Sequence, residues 1–215
     1  GRSPRRSTRS LVRCLPIGRS DMTTMTTRVR FDRGDLTLDV VLPDAPIVAL
    51  TGPNGAGKST LLRCLAGLEP ASSVVRLGAL PESVGYLPQR TSLFPAMSLR
   101  DNVASSLRFS GVGRVESRHR AAALLAEFEI GELARRRPHE VSGGQRQRAG
   151  LARAIAAVPD LLLLDEPFVA IDVTARRSMR TRLVEHLAAS GSSCVFATHD
   201  DADVEAMGAV RVELA

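Results

Sequence analysis

The chain of 215 residues has no tryptophan, one tyrosine and six phenylalanines, so aromatics make up only 3% of it. A surface that stacks on a run of nucleic-acid bases needs more rings than that. Three cysteines occur, Cys14, Cys64 and Cys194, widely spaced and with no CxxC pair. This excludes a disulfide framework or a paired-cysteine zinc site, suits a reducing cytoplasm, and leaves small buried hydrophobes as their role. No apolar run approaches the roughly 18 to 20 residues needed to span a bilayer, so if the protein serves a membrane it does so from one side. Lysine is nearly absent too: of 29 Lys and Arg residues, only Lys58 is lysine.

What is present begins with charge. The net +6 and a pI near 10.4 would ordinarily point to nucleic acid or an anionic surface. Yet Arg2, Arg5, Arg6, Arg9, Arg13 and Arg19 against Asp21 place most of the excess in the first 25 residues. The remainder is close to neutral, and no nucleic-acid partner is expected. Residues 1–27 are expected to be a disordered basic tail or an upstream-extended start, with Met22 and Met25 just before patterned sequence. Leu11-Val12-Arg13-Cys14-Leu15 is too short and interrupted for the apolar core of a secretory signal. A hydrophobic share of 44% with 24% charged residues is that of a globular domain, here expected over residues 28–215.

From residue 28 short β-rich runs alternate with longer helical ones, the order of a mostly parallel α/β sheet. The pattern predicts strands at 28–32, 36–42, 47–51, 73–77, 83–87, 160–165, 193–197 and 209–214. It predicts helices at 58–66, 99–109, 116–128, 143–157, 173–189 and 200–207. Between about 90 and 157 only helical signals occur, which predicts a helical subdomain inserted between core strands.

Ile47-Val48-Ala49-Leu50 reads as a buried strand that runs into Thr51-Gly52-Pro53-Asn54-Gly55-Ala56-Gly57-Lys58-Ser59-Thr60 and then an apolar helix. Gly52, Gly57, Lys58 and Ser59 satisfy the GxxxxGK[ST] spacing of a phosphate-binding loop. Glycines let backbone N–H groups turn in around phosphate oxygens, and the helix adds its positive dipole end. Lys58 then reaches the β- and γ-phosphates while Ser59 offers an oxygen to Mg²⁺. A guanidinium fork does not substitute for a compact ammonium in such a loop, which accounts for the single lysine.

Leu161-Leu162-Leu163-Leu164-Asp165-Glu166-Pro167 reads as a central strand whose acids emerge where the apolar run stops. Ligands sit beyond the carboxyl ends of such strands, which places Asp165 and Glu166 near the phosphate loop. One acid can hold Mg²⁺ and the other orient or deprotonate an attacking water. Ser142-Gly143-Gly144-Gln145 opens a further helix with a serine N-cap, a second anion site. Helix 143–157 is about 22 Å long at 1.5 Å per residue, so Ser142 is expected far from its own loop. The second site is therefore idle or serves a nucleotide held by another copy.

Residues from about 28 to 214 resemble the ATP-binding subunit of an ATP-binding-cassette (ABC) transporter of the importer kind. The phosphate loop, the Ser-Gly-Gly-Gln segment with Val141 where leucine is usual, and the strand ending in Asp165-Glu166 occur in the family's order. Tyr86-Leu87-Pro88-Gln89, Ala197-Thr198-His199-Asp200 and Ala170-Ile171-Asp172 match three further loops. The resemblance implies a P-loop NTPase fold: an α/β protein with a mixed, mostly parallel sheet core, a small antiparallel β subdomain and an inserted helical subdomain. It implies ATP hydrolysis by a head-to-tail dimer, of two copies or with a similar subunit. Two ATP molecules would lie between the loop Gly52 to Thr60 of one copy and Ser142 to Gln145 of the other. Glu166 would be the general base and His199 would contact the γ-phosphate. Gln89 would approach Mg²⁺ and the attacking water and link to a membrane permease, and Asp172 would communicate across the dimer. Ser59, Gln89 and Asp165 form the implied Mg²⁺ set. Outside this register Gln89 reads as a loop amide, His199 as a strand-end histidine and Asp172 as an N-cap. His119, His139 and His186 have no partner pattern.

The family's adenine-stacking aromatic has one nearby candidate, Phe31, for which core packing is the alternative. The stretch from Gly67 to Gln89 is short, suggesting a trimmed antiparallel subdomain. The chain reaches Ala215 soon after the last core strand, so the accessory regulatory domain of some importer ATPases is expected to be absent. The segment Leu93 to Val103 resembles importers of small solutes, including molybdate-type oxyanions and thiamine. A solute-binding protein and a peripheral position on the cytoplasmic side of the membrane follow from the same resemblance. A cassette ATPase acting on DNA or the ribosome would be interrupted by a long coiled coil or doubled, and only 84 residues separate Lys58 from Ser142. A module that binds nucleotide without hydrolysing it is disfavoured by Glu166.

Overall fold

The computed structural model describes residues 27–33, 36–69, 73–76 and 81–215. The expected basic tail lies outside them except for Thr27, which opens the first strand. In order the elements are β1 (Thr27–Arg33), β2 (Leu36–Leu42), β3 (Ile47–Thr51), α1 (Lys58–Leu65), β4 (Ser73–Arg76) and β5 (Val84–Leu87). There follow α2 (Leu99–Phe109), α3 (Arg114–Glu127), α4 (Gly143–Ile155), β6 (Leu161–Asp165), α5 (Val173–Ser190), β7 (Ser193–Ala197), α6 (Asp201–Ala206) and β8 (Val210–Glu213). Each follows the periodicity of its residues, with ends shifted by at most two positions. Two short 3-10 turns, Gly131–Leu133 and Pro138–Glu140, were not foreseen.

The expected mixed sheet resolves into two sheets. β2, β1 and β4 form an antiparallel sheet in that order, while β5-β6-β7-β3-β8 form a sheet that is parallel throughout. The trimmed antiparallel subdomain expected across Gly67–Gln89 falls partly on 70–72 and 77–80, outside the described residues. In the parallel sheet the strands finish level: Leu87 pairs with Leu164, Asp165 with Ala197, and Leu50 with Ala197. Such a sheet needs cover on both faces, and the alternation of side chains supplies it. Leu162 and Leu164, with Cys194 and Phe196, pack among the helices α2 to α5. Leu163, with Val195, Val48 and Leu50, packs on the other face against α1 and the antiparallel sheet. Each such buried Leu or Val contributes roughly 1.5–3 kcal/mol relative to exposure. Cys64 and Cys194 are buried free thiols, as expected.

The segment between β5 and β6 is helical, as the pattern predicted. Its last helix is not separate, however, because Leu151, Ala152 and Ile155 of α4 share the core with Leu162 and Leu164 of β6. A buried amide organises the entry to α2. Asn102, fully buried, accepts the Phe94 N–H at 2.7 Å and donates to the Phe94, Met97 and Ser98 carbonyls at 3.1, 3.3 and 3.0 Å. Ser98 caps the helix by accepting the Asp101 N–H at 3.1 Å. Asn102→Ala strands those backbone groups and is expected to cost roughly 1–3 kcal/mol. Urea denaturation would register the loss as a lower midpoint; an unchanged midpoint would contradict this account of the loop.

Candidate functional site

The loop between β3 and α1 turns on glycines: Gly52, Gly55 and Gly57 take φ of 131°, 87° and 93°, a region that L side chains avoid. At Gly52 a Cβ would stand 2.1 Å from the Leu214 carbonyl oxygen, so the first turn fits against the end of β8 only without a side chain. Gly57 caps α1 with no side-chain acceptor, and no acid sits in the first turn. The positive end of the helix is thus left to an external anion. Lys58, 8% exposed, bends its ammonium back over the loop and donates to the carbonyls of Gly52 and Pro53 at 2.6 and 3.0 Å.

A cavity of about 370 Å³ opens beside this loop. Asn54, Gly55 and Gly57 to Thr60 line it, together with Gln89, Asp165 and Glu166 from the ends of β5 and β6. Asp165 is nearly buried, and its carboxylate accepts from the Ser59 hydroxyl and the Gln89 backbone N–H. Burial pushes its pKa above the usual carboxylate range, opposed by those bonds and by the charges of Arg63 and Lys58. A buried carboxylate bonded to a hydroxyl, beside a loop built for phosphate, is a donor set that suits Mg²⁺, which keeps waters and phosphate oxygens as its other ligands. Among the described residues no group of three or more His, Cys, Asp or Glu is arranged to hold a metal by itself.

Glu166 follows directly. It is buried at 8% exposure and holds φ of 52°, unusual for a side chain of its size. Its backbone N–H donates to the Ala197 carbonyl at 3.1 Å. His199, with its side chain 65% exposed, places Nδ1 3.0 Å from both Glu166 carboxylate oxygens. That hydrogen bond and the Glu166 charge raise the His199 pKa, opposed by burial and aided by smaller contributions from Asp200 and Asp203.

The His199 loop is itself held by contacts that the sequence did not reveal, three of their residues, Arg176, Arg180 and Asp203, lying outside every motif. The Thr198 hydroxyl, fully buried, donates to Asp203 at 2.7 Å, and Arg180 Nε of α5 donates to the same carboxylate at 2.7 Å. Arg176 of α5 reaches Asp200 at 3.0 Å. The only sequence signal for this clamp was the density of arginine on one helix.

Other expected site residues lie elsewhere. Ser142, Gly143, Gly144 and Gln145 do not line the cavity. Ser142 caps α4 by accepting the Gln145 N–H at 3.2 Å, while Gln145 Oε1 accepts the Ser142 N–H at 2.8 Å. Asp172 does act as an N-cap, accepting the Ala175 N–H at 2.9 Å, and lies 3.6 Å from Arg148 of α4. Phe31 as an adenine-stacking ring is corrected. It is 3% exposed and packed in the core shared by β1, β2 and α1, so it has no free face for a base. Pro53 is exposed, and Ala56 packs against that same core. His119 and His139 are exposed and His186 is half-buried, and none of them lines the cavity.

The sequence matches the family model of the ABC transporters over residues 36–169. The chain belongs to the ABC transporter family. It is 38% identical over 182 residues to the spermidine/putrescine import ATP-binding protein PotA of Marinobacter nauticus, covering 80% of this chain and 48% of that protein. It is 43% identical over 164 residues to the taurine import ATP-binding protein TauB of Chromobacterium violaceum, covering 74% and 62%. The chain spans about half the length of relatives such as PotA. Its fold matches an ATP-binding cassette solved as a post-hydrolysis dimer with ADP and Pi, at a TM-score of 0.74 and 24% identity over 89% of this chain and 96% of that one. Within this ABC protein the family match takes in the phosphate loop, Gln89, Ser142 to Gln145, Asp165 and Glu166. His199 lies beyond it and is tied to the site by its bond to Glu166.

Because the folded-state pKa of His199 is raised, the stabilisation from its bond to Glu166 is complete below the unfolded value of 6.5 and fades as pH rises through the folded value. Titrated by NMR, the His199 ring is expected to show a midpoint above 6.5, which falls when Glu166 is changed to Gln. A midpoint at or below 6.5 in the parent protein would contradict the ion pair.

Proposed function

We propose that this ABC protein binds and hydrolyses ATP in the cavity beside its phosphate loop and thereby powers import of a small solute through a separate membrane permease. The observation that carries this reading is the meeting of Lys58, Ser59, Gln89, Asp165 and Glu166 around one cavity, with His199 bonded to Glu166. Residues 28–215 then act as one ABC ATPase domain, with the segment from about 90 to 157 as its helical subdomain.

The roles follow from the chemistry of each group. Backbone N–H groups from Gly52 to Thr60 and the start of α1 donate to phosphate oxygens. Lys58 exchanges its two loop carbonyls for the β- and γ-phosphates, a stronger charge-assisted contact. Ser59, Asp165 and Gln89 would hold Mg²⁺, which when bound neutralises charge on those phosphates. Glu166 accepts the proton of the attacking water on its carboxylate, and His199 beside it steadies that carboxylate and faces the γ-phosphate. Ser142, Gly143, Gly144 and Gln145, away from their own cavity, complete the ATP site of a second copy or of a similar subunit in a head-to-tail dimer. An exposed, well-capped helix start is suited to that task.

Relatives named for import of spermidine/putrescine, sulfate/thiosulfate, taurine and Fe(3+) support the import reading and a small solute. Molybdate-type oxyanions and thiamine fall in that class. The expected partners are a permease reached through the Gln89 loop and a solute-binding protein, with no nucleic acid. The working position is peripheral, on the cytoplasmic side of the membrane. No helix among the described residues is long and apolar enough to cross one.

ATP turnover by the protein with its permease is expected to fall on the order of 10²- to 10⁴-fold in Glu166→Gln. In sedimentation that variant should run as a dimer with ATP and as a monomer without it. Equal turnover in parent and variant would remove Glu166 as the base.

A further inference from the structure

Gln147 of α4 is 4% exposed, and nothing in the roles above employs it. A buried amide must place its donors and acceptor, and this one places them on two separate parts of the site. Its Nε2 donates to the carbonyls of Pro167 at 3.2 Å and Glu166 at 3.4 Å. Its Oε1 accepts from the hydroxyl of Thr91, two residues beyond Gln89. The loop also touches the helix directly. A Cβ on Gly150 would stand 2.4 Å from the Thr91 methyl carbon, so glycine provides the notch in which Thr91 rests.

The peptide that Gln147 grips is the one with unusual geometry. Glu166 sits at φ 52°, and such a conformation persists in a residue of this size only where its surroundings hold it. The Ala197 carbonyl fixes the N–H of Glu166 on one side, and Gln147 grips the carbonyls of Glu166 and Pro167 on the other. A leucine of similar size would fill the same space but hold neither carbonyl.

We propose that Gln147 is a positioning residue that locks the turn carrying Glu166 to the loop carrying Gln89, so that base and loop amide move as one unit with α4. The inference rests on the reading of Glu166 as the general base. Its consequence is regulatory. The first residues of α4 are Ser142 to Gln145, so whatever engages that helix start, or displaces the Gln89 loop, acts on the aim of Glu166 through one side chain.

Gln147→Leu, Gln147→Glu, Thr91→Val and Thr91→Ser in the full chain test this, with Glu166→Gln as control. In Gln147→Leu and Gln147→Glu, kcat for ATP is expected to fall about 10- to 100-fold, the scale of a small misplacement of a reacting group, with KM unchanged within about twofold. Thr91→Val should lower kcat less, and Thr91→Ser, which keeps the hydroxyl, should restore it. Hydrogen exchange without nucleotide gives a readout that needs no turnover. Amides of Glu166, Phe168 and Val169 should exchange faster in both Gln147 variants, and those of 89–93 faster in Thr91→Val. Unchanged exchange at Glu166, Phe168 and Val169 in the Gln147 variants would overturn the proposal, as would parental kcat there while Glu166→Gln is inactive. If Glu166→Gln turns over as fast as the parent, the base assignment fails while the exchange arm still decides whether Gln147 holds the turn. If Gln147→Leu does not fold, Gln147→Glu and the Thr91 pair carry the test.

Discussion

Everything at the site depends on the parallel pairing of β5, β6, β7 and β3 with their ends level. A parallel sheet delivers the carboxyl ends of all its strands to one edge, and ligands collect there. Because Leu87, Leu164 and Asp165, Ala197 and Leu50 lie in register, the segments that follow them emerge side by side. Those segments carry Gln89, Glu166, His199 and the phosphate loop. The register is imposed by burial on both faces: slipping β6 by one residue would exchange Leu162 and Leu164 with Leu163 and turn Asp165 into a core.

On that edge, charge is concentrated where solvent is thin. Lys58, Asp165 and Glu166 are each less than a tenth exposed, so none is stabilised by bulk water. Lys58 is satisfied by loop carbonyls, Asp165 by a hydroxyl and a backbone N–H, and Glu166 by His199. These contacts hold the three charged groups at the wall of the cavity. On the proposed function, the site is thereby preorganised for an anionic ligand before one arrives. Around it lies a polar scaffold: Arg176 and Arg180 hold the His199 loop, and Gln147 holds the Glu166 turn.

Much of this was legible in the residues. β3 and β6 are apolar runs with no helical period, α1 follows a glycine loop, and Asp165 stands where four leucines end, so fold class and most of the cavity lining followed from spacing. The scaffold was not legible. Asn102, Gln147 and Thr198 look like ordinary polar residues in helix or loop, and only tertiary packing shows each buried with its hydrogen-bonding atoms satisfied. Phe31 misled for the converse reason: a ring near the right position has no address in sequence, and alternation in β1 turned it into the core. The 3-10 turns at 131–133 and 138–140 are too short to leave a period.

The proposed function requires that this chain hold half of an ATP site at the sheet edge and the other half at the start of α4. Mixing two variants tests it most directly. Lys58→Ala removes the phosphate-loop half and Ser142→Arg the helix-start half, so each protein alone should lack ATP turnover. In a mixed head-to-tail dimer one site pairs the intact loop of one copy with the intact helix start of the other, and turnover should return on mixing. A mixture as inactive as its parts, or a Ser142→Arg protein that is fully active alone, would contradict the claim.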